Sequence, residues 1–460
     1  MFTKTILLDG DFTMDWTLVY SQGTQPADST TLWNAGSLAR VSAQPGGVAL
    51  LEKLLRTVLP QTVTLHAPPL PAEAIHPGDR RFHHSYSIWT RMNDRAWRVS
   101  QFLGIDAAQP QVTMPPLAAQ QADLIVLDDW NHGYRLAPTA WPTALDGAAP
   151  DAWVLLKTVY PVLQGALWEK LLQTRRDHLI VLVTANDLRL SNAQISRALS
   201  WERAAQDTLW ELSYNPQLKV LSQAAHVIVS FQNDGAVLIS RQANALECRL
   251  VFDPQTVEDG WGAAYGGEVI GYNTCLTAAI ARALLDQAQP SITGRILAGI
   301  HSGLSAMRVL LSHGFENVAP GGGVQLQFPH QVIAADLSQP AHRFAETLIQ
   351  SPLTALSGGP ARGGLFTILS EQCRGDLLPL ARRIVLEGPE KALSNIPLGR
   401  FGKLLTVDRN EIESYRTIAT LIQEYLQQER QEKPLSIAVF GAPGSGRSEE
   451  RRVGKECRSR

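Results

Sequence analysis

An α/β layered sandwich around a central, mostly parallel sheet is the fold this sequence predicts, on three observations. Over residues 1–315, short apolar strands alternate with amphipathic helical stretches, the pattern of a sheet covered by helices. Strands such as those in DLIVLDD and HLIVLVT are apolar at almost every position, as strands buried on both faces are. The 460 residues are 45% hydrophobic and 18% charged, an ordinary globular balance with enough apolar material for two or three domain cores.

In chain order, strands are expected at 5–8, 62–66, 124–127, 179–184, 226–231, 236–240 and 250–252. Helices are expected at 48–58, 163–173, 193–212 and 274–286. Ser191 or Asn192 would cap the third of these, since their side-chain oxygens accept from unpaired helix N–H groups. On it, the charges of Glu202, Asp207 and Glu211 read as a solvated face, and Trp201 and Trp210 as packing. His83 and His84 are adjacent and so point apart on a regular element; they read as a solvated loop rather than a metal pair. IWTRMNDRAWRVSQF interleaves Arg and Trp, but without a basic stripe it reads as a lid or partner surface over the sandwich rather than a nucleic-acid face. HSGLS, from His301, lacks the spacing of a hydrolase elbow and reads as a helix start.

Between 316 and 407 the pattern weakens, with GGG at 321–323 and GGPARGG at 358–364; a connecting region with helices near 341–350 and 376–387 is expected. Residues 408–433 then form a helical linker, with Ile412, Tyr415, Ile418, Ala419, Ile422, Tyr425 and Leu426 on one face. Pro434 marks its end.

Residues 434–446 begin with the apolar strand LSIAVF and turn into GAPGSG. Gly441, Gly444 and Gly446 follow the spacing of the phosphate-cradling loop G-x-x-x-x-G-K-[ST], whose glycines let backbone N–H groups turn onto phosphates. Arg447 stands where that motif requires Lys. Residues 447–460, RSEERRVGKECRSR, are identified as the translation of a common sequencing adapter, so Cys457 and the charges around it carry no functional weight. The expectation is a truncated P-loop NTPase domain, with ATP and Mg²⁺ as cofactors of the full-length protein and none assigned to this chain as it stands.

Formal net charge is −2, which implies no broad basic face for nucleic acid. No apolar run approaches the roughly 20 residues that span a bilayer, and MFTKTILLDGDF is too short and acidic for a signal peptide. Cys248, Cys275, Cys373 and Cys457 show no paired spacing, the usage of a reduced, cytoplasmic protein without a disulfide framework or a zinc site. The partner expected is a small molecule or nucleotide, with no nucleic acid, membrane or metal; a homo-oligomer stays open.

Near the start, TILLDGDFTMDW leads from a strand into Asp9, Asp11 and Asp15, and PGGVALLEKLL opens a helix at Gly46-Gly47. Unpaired N–H groups at such a helix start can receive an anionic or hydroxyl-rich ligand. Together the two stretches resemble the ribokinase-like carbohydrate kinases. The resemblance implies a ribokinase-like three-layer sandwich over 1–315, with Asp15 as the hydroxyl-binding carboxylate and Gly46 and Gly47 as glycines that let the substrate approach. ADLIVLDDWNHGYR is similar to the family's central strand and its glycine-ended loop, at Gly133. HVIVSFQNDGAVLI is similar to the strand–turn–strand beside the nucleotide, which makes Asn233, Asp234 and Gly235 nucleotide-binding candidates.

The family also carries Gly-Ala-Gly-Asp at a helix start, where the Asp is the base and the amides form an anion hole. The corresponding stretch here is EDGWGAAYGGEVIGYNTCLTAAIARALL, and it places Tyr265 or Thr274 where that Asp belongs. Gly271 and Thr274 retain the helix start for a nucleotide, and Glu268 and Asp259 are the remaining catalytic candidates. The expectation is therefore a catalytically degenerate, ligand- or nucleotide-binding sensor module of a larger P-loop ATPase. Its rivals are an active sugar or nucleoside kinase, transferring phosphate from ATP to a hydroxyl, and an oligomerisation or partner-binding platform.

Overall fold

A computed structural model describes residues 4–20, 39–69, 83–92, 96–106, 121–130, 133–146, 151–243, 245–319, 324–349, 366–427 and 434–435. Gly441, Gly444 and Gly446, the two glycine-rich stretches and the basic tail lie outside the described residues.

In chain order the first strands are β1 (Lys4–Gly10), β2 (Phe12–Tyr20), β3 (Ala39–Gly47), β4 (Val63–His66), β5 (His83–Arg91) and β6 (Trp97–Ile105). They are followed by β7 (Leu124–Asp129), β8 (Trp153–Thr158), β9 (Leu179–Thr184), β10 (His226–Phe231), β11 (Gly235–Arg241) and β12 (Leu246–Phe252). A short ribbon of β13 (Glu316–Asn317) and β14 (Leu326–Gln327) precedes β15 (Ala345–Ile349). The main helices are α1 (Val48–Val58), α2 (Ala166–Arg175), α3 (Ala185–Leu190), α4 (Trp201–Tyr214), α5 (Tyr272–Leu284), α6 (Ile292–His313) and α7 (His330–Ser338).

Nine strands make one sheet in the order β15-β12-β11-β10-β9-β8-β7-β1-β4. From β4 to β10 neighbouring strands are parallel, and β11, β12 and β15 add antiparallel pairs. Alternate side chains of each strand enter different cores. Ile6, Leu8 and Val126 pack with Leu51 of α1, Ile280 of α5, Leu304 of α6 and Ile333 of α7. Leu7, Ile125 and Leu127 pack with Leu167 of α2, Leu188 of α3 and Leu209 of α4. The protein is thus the expected three-layer α/β sandwich around a mostly parallel sheet.

A second sheet, β3-β2-β5-β6, was not legible as strands. On β2 both faces are buried: Phe12, Met14 and Trp16 join the core, and the alternating Thr13, Asp15 and Thr17 are buried polar residues. His83 and His84 are buried in β5 rather than solvated in a loop, and Trp16 Nε1 donates to His84 Nδ1 at 2.8 Å. The Arg/Trp stretch forms part of this sheet. Trp89 is fully buried against Phe315, at 4.3 Å between ring centres. Arg98 Nε donates to the Leu311 carbonyl at 2.7 Å and Nη2 to that of Ser312 at 3.1 Å, satisfying the last turn of α6 as cations at helix C-termini do.

Several local expectations are corrected. Residues 345–349 are strand, not part of a helix at 341–350, because AETLI buries every second residue. The helix expected from 193 starts at Trp201, where Ser200 rather than Ser191 or Asn192 is the cap and accepts from Arg203 N at 3.1 Å. Glu202 and Glu211 are buried, not solvated, and Trp210 is exposed rather than packed in the core. Glu202 accepts from Ile368 N at 3.2 Å and Glu211 from the Asn215 amide at 2.6 Å. His301 to Ser305 lie within α6 rather than at its start.

The first compact unit is Met1–Ile412. Because β15 extends the main sheet along β12 and α7 shares the α1/α5/α6 core, position 315 is not a break in it. Beyond β15 it contains α8 (Ile368–Cys373), α9 (Leu378–Glu387), α10 (Pro389–Ala392) and the hairpin β16 (Gly399–Phe401) and β17 (Leu404–Thr406). The second unit, Glu413–Arg460, is described mainly by its portion of α11 (Arg409–Gln427), on which Tyr415, Ile418, Leu421, Ile422 and Leu426 are exposed. Among the described residues no helix is long and apolar enough to cross a membrane.

Candidate functional site

The strand order reverses at β1: the chain moves from β1 outward to β4, then returns to β7 on the other side. In open α/β sheets the crevice at the carboxyl ends of the strands flanking such a point is where ligands bind. Here β1 ends in Asp9-Gly10, β7 in Asp128-Asp129 and β8 in Lys157-Thr158. A side chain at Gly10 would place its Cβ 2.2 Å from the Asp128 carbonyl oxygen, so glycine keeps the two strand ends in register.

The crevice floor is a charge network. Lys157 Nζ lies 3.0 Å from Asp128 Oδ2, with both side chains essentially inaccessible. Arg135 pairs with Asp129 at 2.8 Å, and Thr158 Oγ1 donates to the same carboxylate at 3.1 Å. Asp11 accepts from the backbone N–H of Trp130 at 2.9 Å and of Tyr134 at 3.3 Å. Burial pushes Asp9 up to about 7, against the Gly10 N–H that it accepts. Burial also raises Asp128, with Lys157 pulling the other way.

Asp15 projects from β2 and is buried. Its Oδ1 accepts from Ser85 Oγ at 2.6 Å and Thr13 Oγ1 at 3.2 Å. Burial raises its pKa; these hydroxyls, and more weakly Lys157, oppose the rise. Gly46 is paired with Thr13 on the neighbouring strand, and a Cβ there would lie 2.1 Å from Asp15 Oδ2. Gly47 takes φ 58°, and its Cβ would lie 2.4 Å from the Asp11 carbonyl oxygen, so both glycines are dictated by close approach. That same carbonyl accepts from Val48 N at 2.9 Å, which starts α1.

Helix α5 begins beside this point. Its N-terminal flanking residue, Gly271, has φ 107° and lies against Leu50 of α1, with a Cβ there 3.5 Å from Leu50 Cδ2. No side chain caps α5 and no acidic residue lies in its first turn. The N–H groups of Tyr272, Asn273 and Thr274 precede the first intrahelical bond, from Cys275 N to the Gly271 carbonyl at 3.0 Å. Gly46 thus lies against Asp15 and Gly47 against Asp11, while Gly271 lies against Phe328 and Leu50, with Thr274 following in the first turn of α5.

The other named residues lie differently. Asp259 pairs with Arg197 at 2.8 Å. Glu268 is exposed and joins β6 through its backbone, with its N–H donating to the Val99 carbonyl at 2.9 Å. Asn233 and Asp234 are buried in the β10–β11 turn. Arg308 donates to the Asn233 carbonyl at 2.9 Å and to Asp234 Oδ1 at 3.2 Å, and pairs with Asp253 at 2.6 Å. A Cβ at Gly235 would lie 2.8 Å from the Trp201 ring. For a nucleotide the fit is thus divided: the α5 start offers free N–H groups to a phosphate, whereas the turn's Asn233 carbonyl and Asp234 Oδ1 are already engaged by Arg308. Among the described residues no group of three acidic, histidine or cysteine side chains could hold a metal ion.

Sequence reading missed Lys157, Asp129 and Arg135. The available signal was a charge ending an apolar strand, in LIVLDD and WVLLKT.

No family model and no curated protein matches the sequence. Ribokinases and other sugar kinases recur among the similar solved structures. Ribokinase from Cryptococcus neoformans var. grubii, in complex with ADP, is 11% identical, with 73% of this chain and 99% of that one covered and a TM-score of 0.42. Arabidopsis thaliana ribokinase, complexed with ribose and ATP, is 13% identical, with 73% and 99% covered and a TM-score of 0.40. Thermotoga maritima ribokinase is 13% identical, with 73% and 100% covered and a TM-score of 0.37.

Proposed function

We propose that this chain is a non-catalytic, ribokinase-like sensor that binds a small hydroxylated ligand and belongs to a larger P-loop ATPase. One observation carries the reading: Asp15 is a buried carboxylate whose hydrogen bonds all fall on one oxygen, and α5 starts with neither a side-chain cap nor an acidic residue in its first turn. Asp15, held through one oxygen only, supports recognition of a ligand hydroxyl by the other. The N–H groups of Tyr272 to Thr274 would hold a phosphate of ATP, which supplies the transferable group when bound to an active kinase. Without a carboxylate at that turn, the 10²–10⁴-fold typical of acid–base help is lost. The spacing of Gly441, Gly444 and Gly446 supports the link to an ATPase.

The test uses the purified full chain, thermal shift with pentoses, hexoses and nucleosides, each with and without MgATP, and an assay of ATP consumption. The expected outcome is stabilisation by a hydroxylated compound, lost in Asp15→Asn, with no ATP consumed. Turnover abolished by Glu268→Ala or Asp259→Ala would instead establish an active kinase. No stabilisation by any compound would favour a partner-binding platform.

A further inference from the structure

Helix α11 is rooted at its start and bare beyond it. Asp408 caps it, accepting from Glu411 N at 3.0 Å. The buried Arg409 donates to the Gln206 side-chain oxygen at 3.0 Å and to the Phe366 carbonyl at 2.7 Å, and Ile412 is only 3% exposed. After Ile412 no described side chain of the helix is buried. Tyr415, Ile418, Ile422 and Leu426 are 41, 39, 37 and 67% exposed. A helix this short holds in water chiefly by packing its apolar face, so that face calls for a cover.

The spacing of the face indicates what covers it. Ile412, Tyr415, Ala419, Ile422 and Leu426 follow one another at alternating steps of three and four residues, the repeat of helices that wind around each other. At 3.6 residues per turn, Glu413 and Glu424 fall on the opposite face, away from such a seam. A lipid surface fits poorly, because interfacial helices carry Lys and Arg on the polar face where this one carries those glutamates. A second copy of the helix fits in charge as well as in shape. The charged residues flanking the stripe are Glu411 on one side and Arg416 on the other, five residues on. In a parallel pair those positions face each other across the seam, so each Glu411 meets an Arg416 of the other copy and no like charges meet. Glu411 is exposed and accepts from Thr406 Oγ1 through Oε2 at 2.6 Å, a bond that fixes it at the foot of the stripe.

We infer that α11 is a dimerisation helix, whose stripe from Tyr415 to Leu426 pairs in parallel with the same stripe of a second copy of this chain. Tyr415, Ala419, Ile422 and Leu426 then meet their own equivalents, and Ile418 packs along one side. The inference does not depend on the reading of the Asp15 crevice.

Sedimentation equilibrium of the full chain tests it, over concentrations from about 1 to 200 µM. The expected result is a reversible monomer–dimer equilibrium with a dissociation constant of about 10–100 µM, as suits a short seam. Ile422→Asp, at an exposed position, should weaken it by at least about 10-fold. Leu386→Asp, on the more exposed α9, should leave it unchanged, which separates a specific seam from general stickiness. Arg416→Glu sets like charges on both sides of the seam and should weaken the dimer about 10-fold, and adding Glu411→Arg to it should restore the affinity. A monomer throughout that range, a dimer indifferent to Ile422→Asp, equal weakening by Leu386→Asp, or a charge exchange that restores nothing would each overturn the assignment.

Discussion

Asp15 and Asp234 are both buried carboxylates bonded through Oδ1, and they are held by different partners. Asp234 touches a cation: Arg308 reaches it at 3.2 Å, pairs with Asp253 at 2.6 Å, and is itself sandwiched by the Trp261 and Phe344 rings at 4.8 and 4.7 Å. Asp15 touches only the hydroxyls of Thr13 and Ser85, and both donate to the same oxygen. Lys157 is near enough to influence it but is bonded to Asp128. A carboxylate paired with an arginine is committed to the fold, even though its hydrogen bonds all fall on Oδ1 and its buried Oδ2 has no partner. Asp15 is likewise held through one oxygen, but by hydroxyls alone, with no cation bonded to it. The bonded arginine, and not the number of oxygens engaged, separates a structural knot from a site.

The largest expected effect breaks the knot. Arg308→Met leaves Asp234 and Asp253 buried without their guanidinium, and removing one partner from a buried pair typically costs about 3–5 kcal/mol. Urea unfolding measures it. A loss below about 1 kcal/mol would mean that the turn is not locked by Arg308 and that the two carboxylates are less different than their geometry indicates.

A middle-sized effect tests the site side of the comparison. Gly46→Ala puts a Cβ 2.1 Å from Asp15 Oδ2 and 2.5 Å from Thr13 Oγ1, an overpacking that costs about 1–3 kcal/mol. Part of that cost should vanish in the Asp15→Ala background, because the Asp15 contacts go with the side chain while the Thr13 Oγ1 contact remains. A double-mutant cycle reads the coupling directly. Additive costs would show that Gly46 is required by the backbone and not by Asp15.

How much of this was legible beforehand follows from what each residue depends on. The strands β9 and β10 are apolar throughout and announce themselves. The start of α1 after Gly46-Gly47, and the hairpin turn at Asn233-Asp234-Gly235, are local signals too. The second sheet was harder to see because, although Phe12, Met14 and Trp16 alternate with Thr13, Asp15 and Thr17 on β2, both sets are buried, and its neighbour β5 opens with the polar His83, His84 and Ser85. Lys157 becomes meaningful only when β8 pairs with β7 and sets it beside Asp128. Arg308 stands 74 residues from Asp234, in mid-helix, and nothing near it in sequence marks it as the partner of a turn. Local chemistry was readable; the partners that decide between structure and site are supplied by topology.

The smallest effect is the most discriminating. Asp15→Asn keeps the volume and leaves one oxygen to accept from both Thr13 and Ser85, so stability at neutral pH should change by less than about 1 kcal/mol. The pH dependence carries the sign. Burial raises the folded-state pKa of Asp15 above its ordinary value near 3.8. Its contribution to stability is then complete below that value and is lost as pH rises through the folded-state value. Asparagine undergoes no such loss, so wild type should fall relative to the variant between acid and neutral pH. Paired urea denaturations at the two pH values read this shift. If instead the variant is several kcal/mol weaker at neutral pH, Asp15 is bound into the fold as Asp234 is, and the spare oxygen under Gly46 is not available to a ligand.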